Sequence, residues 1–307
     1  MKKNMSHNVE KENSRATITE LVAKTEREGG HFFKTADEKE VVVSTAHFDD
    51  GSQASTRDSG KVYIEELLCK NNMLVQGSDL GQDFADEYRR IKRPLLSNAF
   101  GKSASLLEKG NLILVTGSIP GEGKTYTAIN LALSMAYEQD RTVLLVDCDV
   151  MRYGTSRMLG IVDKPGLVDV LENTDLSVAD VILRTDIAEL SVISSGKSHD
   201  FVTELLASQR MAELVTEIGE RYDDRVVIFD GPPLLPTPQA QVLTSLVGQV
   251  VFVIEAGKTP QSVVEEALAM IPEEQATGLV MNKSEGIISR SGYYYGYYGD
   301  SKKKDTE

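Results

Sequence analysis

The amino-acid sequence predicts an α/β fold built on a doubly wound, mostly parallel sheet, in one domain over residues 61–292. Three observations predict it. Short apolar runs alternate with segments of helical periodicity, a glycine-rich stretch joins one apolar run to a helix, and two later runs end in aspartate. Apolar strands that alternate with helices form parallel sheets with right-handed crossovers. A glycine-rich turn between a strand and a helix is typical of a P-loop nucleotide-binding fold.

Composition narrows the class of protein. The chain has 307 residues, 41% of them hydrophobic, and a formal net charge of −14. This acidic balance argues against nucleic acid as the main partner, because phosphate contacts need clustered Lys and Arg. Two cysteines are too few for a disulfide framework. Neither an apolar leader nor an apolar run of membrane-spanning length is visible, so we expect a cytoplasmic protein that meets a membrane only through a partner.

The segment before the glycine-rich stretch divides into three parts. Residues 1–60 mix both charges with scattered apolar residues, which predicts a mostly disordered extension. An amphipathic pattern from Val62 to Leu74 predicts a short helix. A second helix is predicted from about Gln82 to Phe100, and Pro94 is a potential break in it, because proline disfavours helix at the residue before it.

Within this second helix, Glu87, Arg90 and Arg93 follow one another at intervals of three residues. That spacing places all three on one side of a helix. Two interpretations stay open from spacing alone: a solvated basic face, or a surface that pairs with a complementary one.

The glycine-rich stretch runs from Val115 to Thr125, between a predicted strand over Leu112–Val115 and a predicted helix over Thr127–Glu138. Its glycines adopt backbone angles that a side chain forbids, and their N–H groups converge on an anion. We expect its lysine to reach the outer phosphates of a nucleotide and its threonine hydroxyl to bind Mg²⁺. Ser118 stands where the P-loop pattern begins with glycine. The predicted nucleotide-binding residues here are Gly121, Glu122, Gly123, Lys124, Thr125 and Tyr126.

Three carboxylates follow predicted strands. Asp147 ends the run that begins at Thr142, Asp149 lies two residues further, and Asp230 ends the run that begins at Val226. Carboxyl ends of parallel strands face the ligand crevice. We expect Asp230 to hold Mg²⁺, and one of Asp147 and Asp149 to accept a proton from an attacking hydroxyl while the other supports the metal. For Asp149 a turn or helix-capping role is the alternative.

The remaining elements complete the sheet and lead to an aromatic tail. Strands are predicted over Leu190–Ile193, Val250–Ile254 and Leu279–Met281, and helices over Asp200–Tyr222 and Pro260–Met270. Residues 293–307 form a predicted flexible tail that holds five of the chain's eleven tyrosines, Tyr293, Tyr294, Tyr295, Tyr297 and Tyr298. Exposed aromatic clusters normally have a function.

Taken together, these motifs resemble the bacterial tyrosine kinases of exopolysaccharide synthesis, and they look most similar to the exosortase-associated tyrosine autokinases. The resemblance covers roughly residues 60 to 299. It implies a P-loop fold of the SIMIBI or MinD-like kind, with ATP and Mg²⁺ as cofactors. It also implies that Lys124 binds the ATP phosphates, that Asp147 activates the incoming tyrosine, and that Mg²⁺ is bound by Thr125, Asp149 and Asp230.

The same resemblance implies how such a kinase assembles. The helix with Glu87, Arg90 and Arg93 matches an E-x-x-R-x-x-R pattern that mediates ring-like self-assembly, and the tail of one subunit accepts phosphate in its neighbour's site. A polysaccharide co-polymerase of the inner membrane is the implied activator, here expected as a separate chain. Asn282 resembles the base-contacting strand end of related nucleotidases and is expected near adenine. Arg152 lies one place later than the arginine that many relatives have after the paired acids.

Two alternatives remain. A ParA/MinD-type partitioning or positioning ATPase shares the fold but typically carries a second lysine early in the loop, where this chain has Ile119 and Pro120. A catalytically weak scaffold would use the tail tyrosines as docking points only. The set of Lys124, Asp147 and Asp230 favours an enzyme over that scaffold.

Overall fold

A computed structural model describes residues 61–75, 81–102, 104 and 107–284. Among these residues, no helix combines the length and the apolar character needed to cross a membrane. The predicted extension over 1–60 and the predicted tail over 293–307 lie outside the described residues.

An eight-stranded sheet forms the centre of the fold, in the order β1-β4-β5-β3-β6-β2-β7-β8. All neighbouring strands pair in parallel except β4 and β5, which are antiparallel. This confirms the predicted doubly wound, mostly parallel sheet. The strands are β1 (Lys61–Val62), β2 (Leu112–Gly117), β3 (Thr142–Asp147), β4 (Leu183–Thr185), β5 (Leu190–Ile193), β6 (Arg225–Asp230), β7 (Gln249–Glu255) and β8 (Ala276–Asn282).

Ten described helices cover the sheet or connect its strands. They are α1 (Glu65–Lys70), α2 (Gly81–Phe100), α3 (Lys124–Ala136), α4 (Gly154–Met158), α5 (Leu167–Glu172), α6 (Val178–Val181), α7 (Val202–Leu206), α8 (Gln209–Glu220), α9 (Pro238–Leu246) and α10 (Gln261–Leu268).

Hydrophobic side chains fill both faces of the sheet. Ile113 and Leu145 point to the face covered by α3, whose Leu133 is fully buried against them. Leu114 and Leu144 point to the opposite face, where α8 packs. The central strands are therefore buried on both sides, which explains why they appear in the sequence as uninterrupted apolar runs.

The predicted helix over Val62–Leu74 is shorter than expected. Residues 61 and 62 instead pair with β4, and α1 covers only Glu65–Lys70. Asn72 adopts a left-handed backbone conformation (φ 52°), which a continuing helix does not allow. The amphipathic pattern is nevertheless real, because Ile64, Leu68 and Met73 are buried.

Helix α2 continues through Pro94 without ending. Proline removes one backbone hydrogen bond, but Tyr88 and Leu95, on either side of it, are both buried against the core. Lys92 bonds the carbonyl of Ser134 (2.5 Å) and pairs with Glu138 (2.6 Å), so α2 is also fixed to the end of α3 and the residues after it. Tertiary packing outweighs the local preference here.

The predicted helix over Asp200–Tyr222 is two helices. Ser208 separates α7 from α8, and its hydroxyl accepts the Met211 N–H at 3.2 Å. A serine in this position caps a new helix. A single long helix was therefore the wrong prediction for this segment.

Candidate active site

Parallel pairing brings the glycine-rich loop and two acids to one edge of the sheet. The loop follows β2, and Asp147 and Asp230 are the last residues of β3 and β6. In the register of the sheet Asp147 lies opposite Asp230, and Asp230 lies opposite Val115 of β2. Ligands of open α/β sheets bind at this edge, so the structure brings these predicted site residues together.

The loop turns through two glycines with positive φ. Gly121 and Gly123 both have φ of 95°, and Gly123 immediately precedes α3. A Cβ atom on Gly123 would lie 2.0 Å from Nδ2 of Asn282. Only glycine fits this position, and the N-terminus of α3 behind it is suited to bind an anion.

The buried carboxylate of Glu122 stabilises the conformation of the loop through hydrogen bonds. Its side chain is 1% exposed, Oε2 accepts the Ile119 N–H at 3.0 Å, and Oε1 accepts the Thr259 hydroxyl at 3.1 Å. The sequence places Glu122 among the nucleotide-binding residues. In the structure its carboxylate contacts the protein itself, while its backbone belongs to the loop.

Lys124 lies at the start of α3 with 7% of its surface exposed. Its Nζ donates to the Ile119 carbonyl at 2.6 Å and lies 3.8 Å from Oε2 of Glu122. Burial lowers the pKa of Lys124, and the negative charges of Glu122, Asp230 and Asp149 oppose that change. The ammonium thus shares its surroundings with the predicted metal-binding acids.

Asp147 is completely buried. Its Oδ2 accepts the N–H and the hydroxyl of Ser156 at 2.8 and 2.6 Å, and its Oδ1 accepts the Asp149 N–H at 3.2 Å. Burial raises the pKa of Asp147 above its ordinary value, against these hydrogen bonds. One oxygen is therefore saturated, and the other carries a single long hydrogen bond.

Asp230 is also completely buried. Its Oδ2 accepts the Thr155 hydroxyl at 2.8 Å, whereas Oδ1 has no hydrogen-bond partner within the described residues. Burial raises the pKa of Asp230, and the neighbouring charge of Asp147 raises it further. A buried carboxylate oxygen without a partner is costly unless a ligand completes it.

The oxygen groups at this point fit Mg²⁺. The free oxygen of Asp230, the hydroxyl of Thr125 and the carboxylate of Asp149 are hard donors of the type this ion prefers. Within the described part of the chain, no group of three or more His, Cys, Asp or Glu side chains is placed to hold a metal by itself. Mg²⁺ usually takes one or two carboxylates together with water and substrate phosphates, so the residues present suit a nucleotide-bound ion.

The end of β8 fastens the loop from the side. Nδ2 of Asn282 donates to the Glu122 carbonyl at 2.9 Å, and Nζ of Lys283 donates to the Gly121 carbonyl at 2.6 Å. Lys283 also pairs with Glu255 at 3.3 Å. The amide of Asn282 thus contacts the phosphate loop, and its expected contact with adenine stays a prediction.

Four further residues differ from what the sequence predicted. Tyr126 directs its hydroxyl to the Asn72 carbonyl at 2.7 Å, in the segment after α1. Thr155 and Ser156, which hold Asp230 and Asp147, were missed, and so was Lys283. Lys283 could have been predicted, because it directly follows Asn282 at the end of a strand. No pattern in the sequence indicates Thr155 or Ser156.

Glu87, Arg90 and Arg93 lie on the exposed side of α2, as their spacing predicts. Tyr88, Lys92 and Leu95 occupy its buried side. None of the three exposed residues has an ion pair within the described residues, whereas Arg89 pairs with Asp86. The predicted phosphate acceptors, Tyr293 to Tyr298, lie outside the described residues.

Comparison with known proteins agrees with this geometry. A family model described as an AAA domain matches residues 110–276. Tyrosine-protein kinase YwqD of Bacillus subtilis is 33% identical over 70% of this chain and 86% of its own length. Putative tyrosine-protein kinase EpsB of Ralstonia nicotianae is 32% identical over 87% of this chain, and tyrosine-protein kinase wzc of Salmonella typhimurium is 30% identical over 65%.

Coverage differs among these relatives. The chain spans 34% of EpsB and 28% of wzc, about a third of each, but most of YwqD.

Among solved structures, the VpsO kinase domain is 28% identical, with a TM-score of 0.52 over 65% of this chain and 98% of that domain. The kinase domain of Escherichia coli ETK, at 21% identity and a TM-score of 0.55, covers 75% of this chain and 92% of that domain and shares the fold.

Proposed function

This chain belongs to the bacterial tyrosine-protein kinases, and we propose that it transfers the γ-phosphate of ATP to the tyrosines of its C-terminal cluster, on a neighbouring subunit, and so regulates exopolysaccharide synthesis or export. One observation carries the proposal: at the edge of the sheet where the loop turns into α3, Lys124 lies beside the buried acids Asp149 and Asp230, and Asp147 ends the strand next to that of Asp230. Phosphoryl transfer needs such an arrangement, since it depends on positioning and charge neutralisation.

ATP and Mg²⁺ are the proposed cofactors. The backbone from Gly121 to Thr125 forms the phosphate cradle, and Lys124 exchanges the Ile119 carbonyl for a phosphate oxygen. Thr125, Asp149 and Asp230 are the proposed ligands of the metal, which neutralises charge on the phosphates when bound.

Asp147 is the proposed base. As the tyrosine oxygen bonds to the γ-phosphorus, the bond from that phosphorus to the ADP oxygen breaks and the phenolic proton passes to Asp147. Oδ1 is the oxygen available for this proton, because Oδ2 already accepts two hydrogen bonds from Ser156.

Assembly into a ring-like homo-oligomer through Glu87, Arg90 and Arg93 belongs to the same proposal. Their exposure on α2 and their lack of ion pairs among the described residues support it, because they are available to a second copy. An inner-membrane polysaccharide co-polymerase is the proposed activator and would recruit the chain to that membrane. The finer similarity to exosortase-associated autokinases stays a prediction.

The test is phosphotyrosine mapping by mass spectrometry after incubation with Mg²⁺-ATP, with and without the activator. Wild type is expected to carry phosphate on Tyr293 to Tyr298, and a variant with all five tail tyrosines changed to Phe is expected to lose it. Tyr222→Phe, at a tyrosine with 44% exposure outside the tail, is the matched control and should leave labelling unchanged. Lys124→Met should abolish labelling while circular dichroism stays that of wild type.

Two results would contradict the proposal. Phosphotyrosine that persists in the five-Phe variant would place the acceptor elsewhere. Release of ADP and free phosphate by wild type with its activator, without any phosphotyrosine, would favour the ParA/MinD-type ATPase switch instead.

A further inference from the structure

The five-residue helix α4 brings three consecutive residues against the groups that surround the proposed metal and base. A Cβ atom on Gly154 would lie 2.6 Å from Oγ1 of Thr125. Thr155 bonds Asp230, and Ser156 bonds Asp147. One short segment therefore touches residues from three different elements of the site.

Thr155 is hydrogen-bonded to one oxygen of Asp230, and the Thr125 hydroxyl also lies near that carboxylate. Thr155 and Asp230 are completely buried, and the Thr155 hydroxyl lies 2.8 Å from Oδ2 of Asp230. With Oδ2 held, Oδ1 is left without a partner among the described residues. A carboxylate that could rotate freely would not keep one particular oxygen ready for a ligand.

Ser156 holds Oδ2 of Asp147 in a similar way and leaves Oδ1 with one hydrogen bond, from the Asp149 N–H. The Ser156 Oγ accepts the Ser195 N–H at 3.0 Å and lies 3.3 and 3.2 Å from the hydroxyls of Ser194 and Ser195. The shortest contact of that oxygen, at 2.6 Å, is with Oδ2 of Asp147. Because a hydroxyl has a single proton, the Ser195 N–H fills an acceptor position and leaves the proton to bond Asp147.

The backbone before α4 fixes this segment to the acids. The N–H groups of Arg152 and Tyr153 both donate to the Asp149 carbonyl, at 3.0 and 2.7 Å. Tyr153 then takes a left-handed conformation (φ 53°), from which α4 begins. The chain thus turns back on itself directly after Asp149, and Thr155 and Ser156 meet the two strand ends.

We propose that Thr155 and Ser156 are positioning residues for the phosphoryl transfer, Thr155 by presenting Oδ1 of Asp230 to the nucleotide-bound Mg²⁺ and Ser156 by presenting Oδ1 of Asp147 to the acceptor hydroxyl. This rests on the proposed function. Neighbours that orient metal ligands and bases typically account for 10- to 100-fold in affinity or activity. The two residues act on different steps, so their loss should be separable.

The first experiment measures binding of a fluorescent ADP analogue with and without Mg²⁺, so it needs no kinase activity. Thr155→Val removes the hydroxyl and keeps the shape. It should leave the Mg²⁺-free Kd unchanged and reduce the tightening produced by Mg²⁺ about tenfold. Thr155→Ser should restore that tightening.

Thr185→Val is the matched control, because Thr185 is also a buried threonine whose hydroxyl bonds the backbone, at Ile187 and Leu190. Thr185 lies on β4, away from the glycine-rich loop. The Thr185→Val variant should lower the unfolding temperature without altering the tightening of ADP binding by Mg²⁺. Equal Mg²⁺ tightening in Thr155→Val and wild type, or an equal loss in both valine variants, overturns the role of Thr155.

The second experiment measures steady-state tyrosine phosphorylation by Ser156→Ala. We expect kcat to fall about 10- to 100-fold with the KM for ATP within about twofold of wild type, and Ser156→Thr to recover part of kcat. An unchanged kcat, or a rise in KM alone, overturns the role of Ser156. Should wild type form no phosphotyrosine at all, the proposed function fails, and the Mg²⁺ measurement alone then decides on Thr155.

Discussion

At Asp147 and Asp230, the fold places two carboxyl groups where water does not reach. Both side chains are completely buried, and burial raises the pKa of each. The charge of Lys124 acts on Asp230, but burial lowers the pKa of that ammonium as well. Before any nucleotide binds, the site is therefore a source of instability.

This predicts a pH dependence of stability with a definite sign. Because the folded state holds protons on these acids more tightly than the unfolded chain does, the free energy of unfolding of the ligand-free protein should fall as the pH rises from about 5 to about 8. Asp230→Asn removes one charge and should flatten that slope. Urea unfolding in EDTA at both pH values measures it.

Asp163→Asn is the control for this prediction, since Asp163 is a carboxylate on the surface, with 75% of its side chain exposed. It should leave the slope of wild type unchanged. Identical slopes in wild type and Asp230→Asn would mean that Asp230 does not hold its proton more tightly in the folded state.

Helix α2 packs on the core with one side and presents charged residues to solvent on the other. Its buried side fixes it to α3 through Lys92, and its exposed side presents Glu87, Arg90 and Arg93. Changes on the exposed side should affect assembly without affecting folding, because surface substitutions away from packed features usually alter stability by less than about 0.5 kcal/mol.

We therefore expect Arg90→Ala combined with Arg93→Ala to lower the sedimentation coefficient of the assembled protein while leaving its unfolding temperature unchanged. Arg89→Ala is the matched control on the same helix, because Arg89 already pairs with Asp86 within the chain. An unchanged sedimentation profile in the double variant would return this side of α2 to a merely solvated surface.

The elements that the sequence predicted well are those decided by burial. Strands β3 and β5 begin and end at the predicted residues, because apolar runs buried on both sides have few alternatives. The positions of Asp147 and Asp230 followed from the same rule, since a strand end fixes where its last carboxylate lies.

The elements that were missed depend on contacts between distant residues. Thr155 lies 75 residues before Asp230 and Ser156 lies 39 residues before Ser195, and no local pattern encodes those contacts. Ser156 is only nine residues from Asp147, but that contact forms only because the chain turns back after Asp149. Strand β4 has three residues, too few for a periodicity. Helix α9 is different: Thr237 before Pro238 is a recognisable helix start, and that indication was available in the sequence.

At the scale of the whole molecule, the proposed phosphate-transfer site and the acceptor tail are parts of one chain. The proposal that they act between subunits can be tested by mixing two variants, each of which lacks one of them. A Lys124→Met chain keeps its tail but lacks the lysine, and the five-Phe chain keeps the site but lacks acceptors. Neither alone should form phosphotyrosine, whereas the mixture should label the Lys124→Met chain.

Affinity tags of different mass identify which chain carries the label. Adding Arg90→Ala and Arg93→Ala to both chains should abolish labelling in the mixture if assembly brings them together. A mixture that stays unlabelled under conditions in which wild type labels itself would mean that each subunit phosphorylates its own tail.

The contacts of Asn282 and Lys283 have a consequence for this exchange. Their side chains donate hydrogen bonds to the carbonyls of Glu122 and Gly121, and the tail tyrosines follow them in the sequence. If a neighbour captures the tail, as proposed, any pull on it would act on the two residues that contact the subunit's own glycine-rich loop. We therefore expect the transfer of phosphate by one subunit and the presentation of its own tail to compete with each other.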